Sequence, residues 1–241
     1  MRNFRIILFT LLSVCSLTVR GASDLNSVLE RGRDLFGYGR WSDARHEFLR
    51  ARALLDPADR AAREEIDYYL AACAVELGSG DAEGALRDFE RRHPGSVYAN
   101  DVRFSLGSYY CAVGNMPLAR EAFERTEYKA LSAPRREQYD IRMGYVEFTQ
   151  GDYAAAYDRF SRIGSRSEYA DHALYYRSYI DYAEGRYDRA KEGFTQLTRS
   201  DAYRDLVPFY LLQIEFRNGN YRYVVDHGEE LVRKAVPERQ A

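Results

Sequence analysis

The sequence predicts an all-α protein, a solenoid of about six helix-turn-helix repeats, and three observations carry that expectation. Glycines followed by an aromatic or apolar residue recur at near-constant spacing. Alanine and phenylalanine recur in register behind them. Apolar residues between these marks fall at helical intervals, as with Leu106, Tyr109, Tyr110 and Val113, and no stretch alternates like a strand.

The glycine marks are Gly39-Arg40-Trp41, Gly80-Asp81-Ala82, Gly114-Asn115-Met116, Gly151-Asp152-Tyr153, Gly185-Arg186-Tyr187 and Gly219-Asn220-Tyr221, separated by 41, 34, 37, 34 and 34 residues. Each is read as the turn that ends a first helix with positive φ, at little cost to a residue without Cβ. The second helix then opens at a capping residue such as Asp152 or Ser42. Five residues after each glycine stand Ala44, Ala85, Ala119, Ala156, Ala190 and Val224, and nine after it stand Phe48, Phe89, Phe123, Phe160 and Phe194, with Gly228 breaking the last copy. Seven residues before it stand Gly32, Gly107 and Gly144, with Cys73, Ser178 and Leu212 in the matching places. A small residue midway along the first helix lets the second helix lie close against it, and the later alanine serves the same contact from the other side. The prolines, from Pro57 to Pro237, fall at or near predicted helix boundaries.

With these residues in place the sequence resembles the tetratricopeptide repeat family from about Asn26 to Val236, best in Leu106-Gly107 to Phe123 and Met143-Gly144 to Phe160. The second copy departs from the pattern, with Gly78, Gly80 and Gly84 close together, and the sixth lacks the later phenylalanine. Repeats are expected over about 25–58, 61–95, 98–131, 135–166, 168–201 and 203–236, within one solenoid spanning 23–241. The resemblance implies a right-handed superhelix whose first helices line a concave surface. The stripe that faces inward in the family matches Leu29, Phe36, Leu70, Phe104, Tyr145 and Phe148, and then Tyr175, Tyr179, Tyr182, Phe209 and Phe216. From Phe104 onward these are the expected partner-binding residues. Tyr175, Tyr179 and Tyr182 follow i, i+4, i+7 on one helix and with Tyr145 and Phe148 predict a ring-lined groove for an extended or helical peptide. A structural role for each ring, packed between neighbouring first helices, is the competing reading.

Composition agrees with a packed globular chain. The 241 residues are 46% hydrophobic and 30% charged, and 35 basic against 37 acidic side chains leave a net charge of -2, which argues against nucleic acid as a partner. The unusual feature is 21 tyrosines in an aromatic fraction of 14%, which calls for a large core or an aromatic surface.

The first segment reads as an address. Arg2 and Arg5 precede an uncharged run from Ile6 to Val19, and Arg20, Gly21, Ala22 and Ser23 follow, which is a signal peptide pattern over 1–22. The run is shorter than the ~20 residues a membrane-spanning helix needs. Cys15, behind Leu12, Ser13 and Val14, resembles a bacterial lipoprotein processing box, with Val14 where a small residue is expected, and is a candidate lipidation position. The expected location is therefore the periplasm, with an outer-membrane tether as the variant that lipidation would bring. Cys73 and Cys111 are read as small core residues rather than a disulfide.

No constellation for catalysis, cofactor or metal is visible. His46, His93, His172 and His227 are scattered over separate repeats and read as solvated or capping residues. There is no His-Glu-x-x-His spacing and no Gly-x-Ser-x-Gly elbow, and the glycine pairs Gly37/Gly39 and Gly78/Gly80 lack a following lysine with serine or threonine. The sequence thus predicts a non-enzymatic scaffold of the bacterial cell envelope that binds a protein or peptide on its concave face, similar to outer-membrane assembly and envelope-coordination members of the family. The alternative is a glycan or peptidoglycan-binding module, since aromatic faces also stack on sugars, although the single tryptophan, Trp41, sits where an aromatic packs the start of a second helix. No polar capping helix follows Leu231 and Val232, which predicts further C-terminal repeats in a longer chain or an end that packs on a partner or on itself.

Overall fold

The computed structural model describes residues 24–235, with side chains as far as Glu229. The expected signal segment, Cys15 and the chain beyond 235 lie outside the described residues. Among them there are twelve α-helices and no strand: α1 (24–37), α2 (Trp41–Leu54), α3 (Arg60–Glu76), α4 (Ala82–Arg92), α5 (Ala99–Ala112), α6 (Met116–Glu124), α7 (Ala133–Thr149), α8 (Tyr153–Ser161), α9 (Ala170–Ala183), α10 (Tyr187–Leu197), α11 (Val207–Arg217) and α12 (Tyr221–Ala235). They pair in order as six hairpins, an all-α solenoid arrangement, and fall into two compact units that divide between Ala130 and Leu131.

Each hairpin turns on one glycine with φ between +61° and +81°: Gly39, Gly78, Gly114, Gly151, Gly185 and Gly219. The backbone pattern is the same at all six. The glycine N–H bonds the carbonyl three residues back, as from Gly151 to Phe148 (3.0 Å), and the next N–H bonds the carbonyl five back, as from Asp152 to Glu147 (2.9 Å). This is the Schellman closure, which satisfies carbonyls that a helix end otherwise leaves open. In the second hairpin the turn glycine is Gly78 and not Gly80, because Ser79 N–H closes back on Ala74 (2.9 Å) and two further residues precede α4. Side-chain caps follow at Asn115, Asp152 and Asn220, which accept from Leu118, Ala155 and Tyr223 N–H groups. Ser42 does not cap α2; that position belongs to Arg40, and Ser42 lies inside the first turn.

The two helices of a hairpin meet through the glycine–phenylalanine pairs. Phe48, Phe89, Phe123, Phe160 and Phe194 are all 0% exposed. A Cβ placed on Gly32, Gly107 or Gly144 would come within 2.9, 2.6 and 2.8 Å of the rings of Phe48, Phe123 and Phe160, so the small residue makes the space that the ring fills. In the fifth hairpin Ser178 takes that place, and Gly193 compensates, since a Cβ there would meet the Ser178 hydroxyl at 1.9 Å. The sixth hairpin inverts the pair. Leu212 stands where the small residue was expected and Gly228 where the ring was, with the Leu212 methyl 3.9 Å from the place of a Gly228 Cβ. The missing phenylalanine is thus an exchange of volume across the same contact. Cys73 is buried, and burial pushes its thiol up to about 11; Cys111 is half-buried rather than fully in the core, and the two form no disulfide.

Candidate functional site

The first helices α1, α3, α7, α9 and α11 carry aromatic residues at positions fixed relative to their turn glycines, and these build a repeated socket. Nine residues before the glycine stand Tyr69, Tyr176 and Tyr210, which stack on the buried phenylalanine of the hairpin before: Tyr69 on Phe48 (4.6 Å, 4°), Tyr176 on Phe160 (5.1 Å, 14°) and Tyr210 on Phe194 (4.8 Å, 11°). The walls of each socket come from the preceding first helix. Phe36 meets Tyr69 at 5.2 Å, Tyr145 and Phe148 meet Tyr176 at 5.7 and 4.9 Å, and Tyr179 and Tyr182 meet Tyr210 at 5.8 and 5.6 Å. A second ring closes each socket across the turn, in the pairs Phe36–Trp41, Phe148–Tyr153, Tyr182–Tyr187 and Phe216–Tyr221, all between 5.0 and 5.8 Å. Aromatic pairs in these offset and edge-to-face arrangements contribute about 0.5–1.5 kcal/mol each beyond their area, so the sockets tie one hairpin to the next.

Five of the expected site residues therefore share one ladder in the second unit. Tyr145, Phe148, Tyr175, Tyr179 and Tyr182 are joined through Tyr176 and Tyr210, and Phe148 touches Tyr179 directly at 5.4 Å. The last two linkers were missed in the sequence, although Tyr69, Tyr176 and Tyr210 all stand nine residues ahead of their glycines once the second turn is set at Gly78. The competing structural reading holds for much of the groove. Tyr175 stacks on Tyr203 (4.6 Å) and shares a 3.3 Å hydrogen bond with the Tyr210 hydroxyl, and the Tyr182 hydroxyl donates to Gln213 Oε1. Burial holds the Tyr175, Tyr176, Tyr179 and Tyr203 phenols above the ordinary tyrosine range. Phe104 lies outside the ladder, in the first unit, where its ring is buried against Phe123; it presents no binding surface. Leu29 is likewise core. Phe209 and Phe216 do face solvent, at 53% and 57% exposed, one beside Tyr210 and the other beside Tyr221.

A buried carboxylate stands at the same place before each turn of the second unit. Glu147, Asp181 and Glu215, four residues before their glycines, are buried and lie beside Arg159, Arg186 and Lys191 at 3.4, 2.5 and 2.5 Å. Lys191, with Asn220, holds the Glu215 carboxyl below the usual carboxylate range. The unfolded chain then takes up the proton first as pH falls, so this contribution is complete at neutral pH and is lost as pH drops through the folded value. Glu215→Gln is expected to be less stable than the native chain at pH 7, with the two urea midpoints converging as pH falls below the ordinary carboxylate range. Two of the histidines are not simply solvated. His93 ends α4 and lies 3.0 Å from the buried Asp67, and His172 Nδ1 lies 2.5 Å from the Tyr203 hydroxyl. No cluster of three metal-ligating side chains occurs among the described residues, and no described helix is long and apolar enough to cross a membrane.

Positive-φ turns, small-to-large pairing inside each hairpin and ring sockets between hairpins define a helical-repeat protein with the tetratricopeptide fold. No protein-family model matches the sequence, and no curated protein matches it. Among solved structures it is similar to a tetratricopeptide repeat protein from Parabacteroides merdae ATCC 43184, with a TM-score of 0.57 and 14% identity over 87% of this chain and 79% of that one. It is also similar to a chain of the APC/C hetero-tetramer Cut9–Hcn1, with a TM-score of 0.53 and 17% identity over 89% of this chain and 41% of that one. At such identities the likeness is one of fold.

Proposed function

We propose that the protein is a non-catalytic scaffold that binds a protein or peptide partner along the aromatic first-helix face of its second unit. One observation carries the reading: Phe209 stands 53% exposed beside the ladder of half-buried rings from α7, α9 and α11, an apolar surface that the unit's own packing does not use. The rings of the ladder meet edge to face or stack on one another, and Trp41 packs on Phe36, which supports a protein or peptide over the glycan alternative. The uncharged run behind Arg2 and Arg5 supports export, hence a periplasmic partner, with Cys15 as the candidate tether.

The double alanine variant of Tyr179 and Tyr182 would open the Tyr210 socket, so Phe209 is the cleaner probe. A photo-crosslinking residue at Phe209 in native cells is expected to trap one envelope protein, identifiable by mass spectrometry. Phe209→Glu should lose that partner with unchanged circular dichroism. Equal trapping from Tyr38, an exposed position in the first unit, would refute the assignment.

A further inference from the structure

In the first hairpin one carboxylate joins the two helices. Arg31, eight residues before the turn glycine, reaches Glu47, eight after it, at 3.3 Å, and Glu47 also accepts from Arg50 at 2.8 Å. In the fourth hairpin the signs are exchanged, with Arg159 in the place of Glu47 and reaching Glu147 on the first helix at 3.4 Å. The fifth hairpin keeps the first hairpin's cation and lacks its acid. Arg177 stands where Arg31 stands, Gln196 where Arg50 stands, and Gly193 where Glu47 stands.

Arg177, Gly193 and Gln196 line a pocket of about 270 Å³ between α8, α9 and α10. The matching groove at α6, where Ala122 takes the place of Gly193, measures about 70 Å³, and its Arg87 and Arg125 meet Glu83 and Glu90. In the fifth hairpin the Arg177 guanidinium lies 5.2 Å from the Tyr157 ring, and its Nε is buried with no hydrogen-bond partner among the described residues. Arg189 adds a second cation to the wall, at the place of Asp43 in the first hairpin, and neither arginine forms an ion pair with a described carboxylate. Of the two acids on the wall, Asp181 is engaged by Arg186 and Glu192 is exposed. Two arginines against Glu192 leave one positive charge, which a single carboxylate balances.

We propose that this pocket binds a carboxylate brought from outside the chain, which bridges Arg177 and Gln196 as Glu47 bridges Arg31 and Arg50. A planar guanidinium accepts a carboxylate through two parallel hydrogen bonds, and a single net charge suits a carboxylate better than a phosphate dianion. The volume admits a whole glutamate-type side chain, carried by a peptide or by a free small acid. The pocket lies among α8, α9 and α10 and does not include Phe209, so it stands or falls apart from the partner face proposed above.

The test follows the Arg177 Nε–H resonance by NMR in the full chain. The probes are glutamate blocked at both ends so that only its side chain is charged, a blocked alanine pentapeptide with one central glutamate, and inorganic phosphate. Blocked glutamate is expected to shift the Arg177 signal saturably and more weakly as salt rises, leaving the Arg31 Nε–H in place, and phosphate should bind at least about tenfold more weakly. A pentapeptide at least about tenfold tighter than the blocked residue identifies a peptide as the source of the carboxylate, and equal affinity identifies a free acid. Arg177→Gln, read at the Gly193 amide, should weaken binding by at least about tenfold. Ser178→Gly with Gly193→Glu copies Gly32 and Glu47 of the first hairpin, the serine being changed because a Cβ at 193 would meet its hydroxyl at 1.9 Å. That double variant retains Arg177 and should lose binding to the same extent, with a urea midpoint no lower than the native one. The proposal is overturned by a shift that does not saturate, by an equal shift at Arg31, by phosphate as tight as blocked glutamate, or by either variant binding within about threefold of the native chain.

Discussion

Phe160→Ala is expected to lower the stability of the second unit by about 3–5 kcal/mol, read from urea unfolding. The ring is 0% exposed, stacks on Tyr176 at 5.1 Å, and occupies the space left by Gly144, so its removal loses transfer energy and leaves a cavity between α7, α8 and α9. Gly144→Ala tests the same contact from the other side, and here two effects oppose. Alanine gains about 1 kcal/mol of helix propensity over glycine. Its methyl would lie 2.8 Å from the Phe160 ring and 3.1 Å from the Arg159 Cβ, however, and crowding a full core costs about 1–3 kcal/mol. The net effect is destabilising while the ring is present and stabilising once Phe160 is alanine, because the methyl then enters the vacated space. A double-mutant cycle should therefore show coupling of more than about 1 kcal/mol. An unchanged Gly144→Ala effect in the two backgrounds would refute the account of how these hairpins close. The sixth hairpin carries the natural form of the exchange, with Leu212 opposite Gly228.

Adjacent residues on α11 are expected to behave oppositely. Tyr210→Ala should cost about 3 kcal/mol or more, since the ring stacks on Phe194, touches Tyr175, Tyr179 and Tyr182, and shares a hydrogen bond with the Tyr175 hydroxyl. Tyr210→Phe keeps the rings and removes only the hydroxyl, an expected loss of about 0.5–1.5 kcal/mol. Phe209→Ala, at an exposed position, should stay within about 0.5 kcal/mol of the native stability while reducing partner capture. If Phe209→Ala proved the more destabilising of the two, the exposed face would be packing surface, and the partner assignment would fail with it.

Much of the architecture was legible along the chain because its determinants are local. A glycine at positive φ, a cap one residue on and a phenylalanine nine on are set by backbone geometry within a single hairpin, as at Gly114 and Gly151. Where two candidates stood close together the local signal was not enough. Gly78 and Gly80 are equally able to adopt positive φ, and the choice fell to the residue at which the carbonyl of Ala74 needed a partner. Ser42 failed as a cap for a related reason: the Gly39 closure sets Arg40 as the residue before α2, ahead of any side-chain preference.

By itself the sequence determined that helices pair, where the pairs bend and which small residue faces which ring, since those relations depend on spacing along one continuous helix or its immediate return. Only the tertiary structure decided which aromatic residues seal one hairpin to the next and which remain outside. Neighbouring positions such as Phe209 and Tyr210 differ by about 100° around the helix. The one that meets Phe194 is selected by how α11 settles on the fifth hairpin, a contact between elements that no periodicity within either of them encodes.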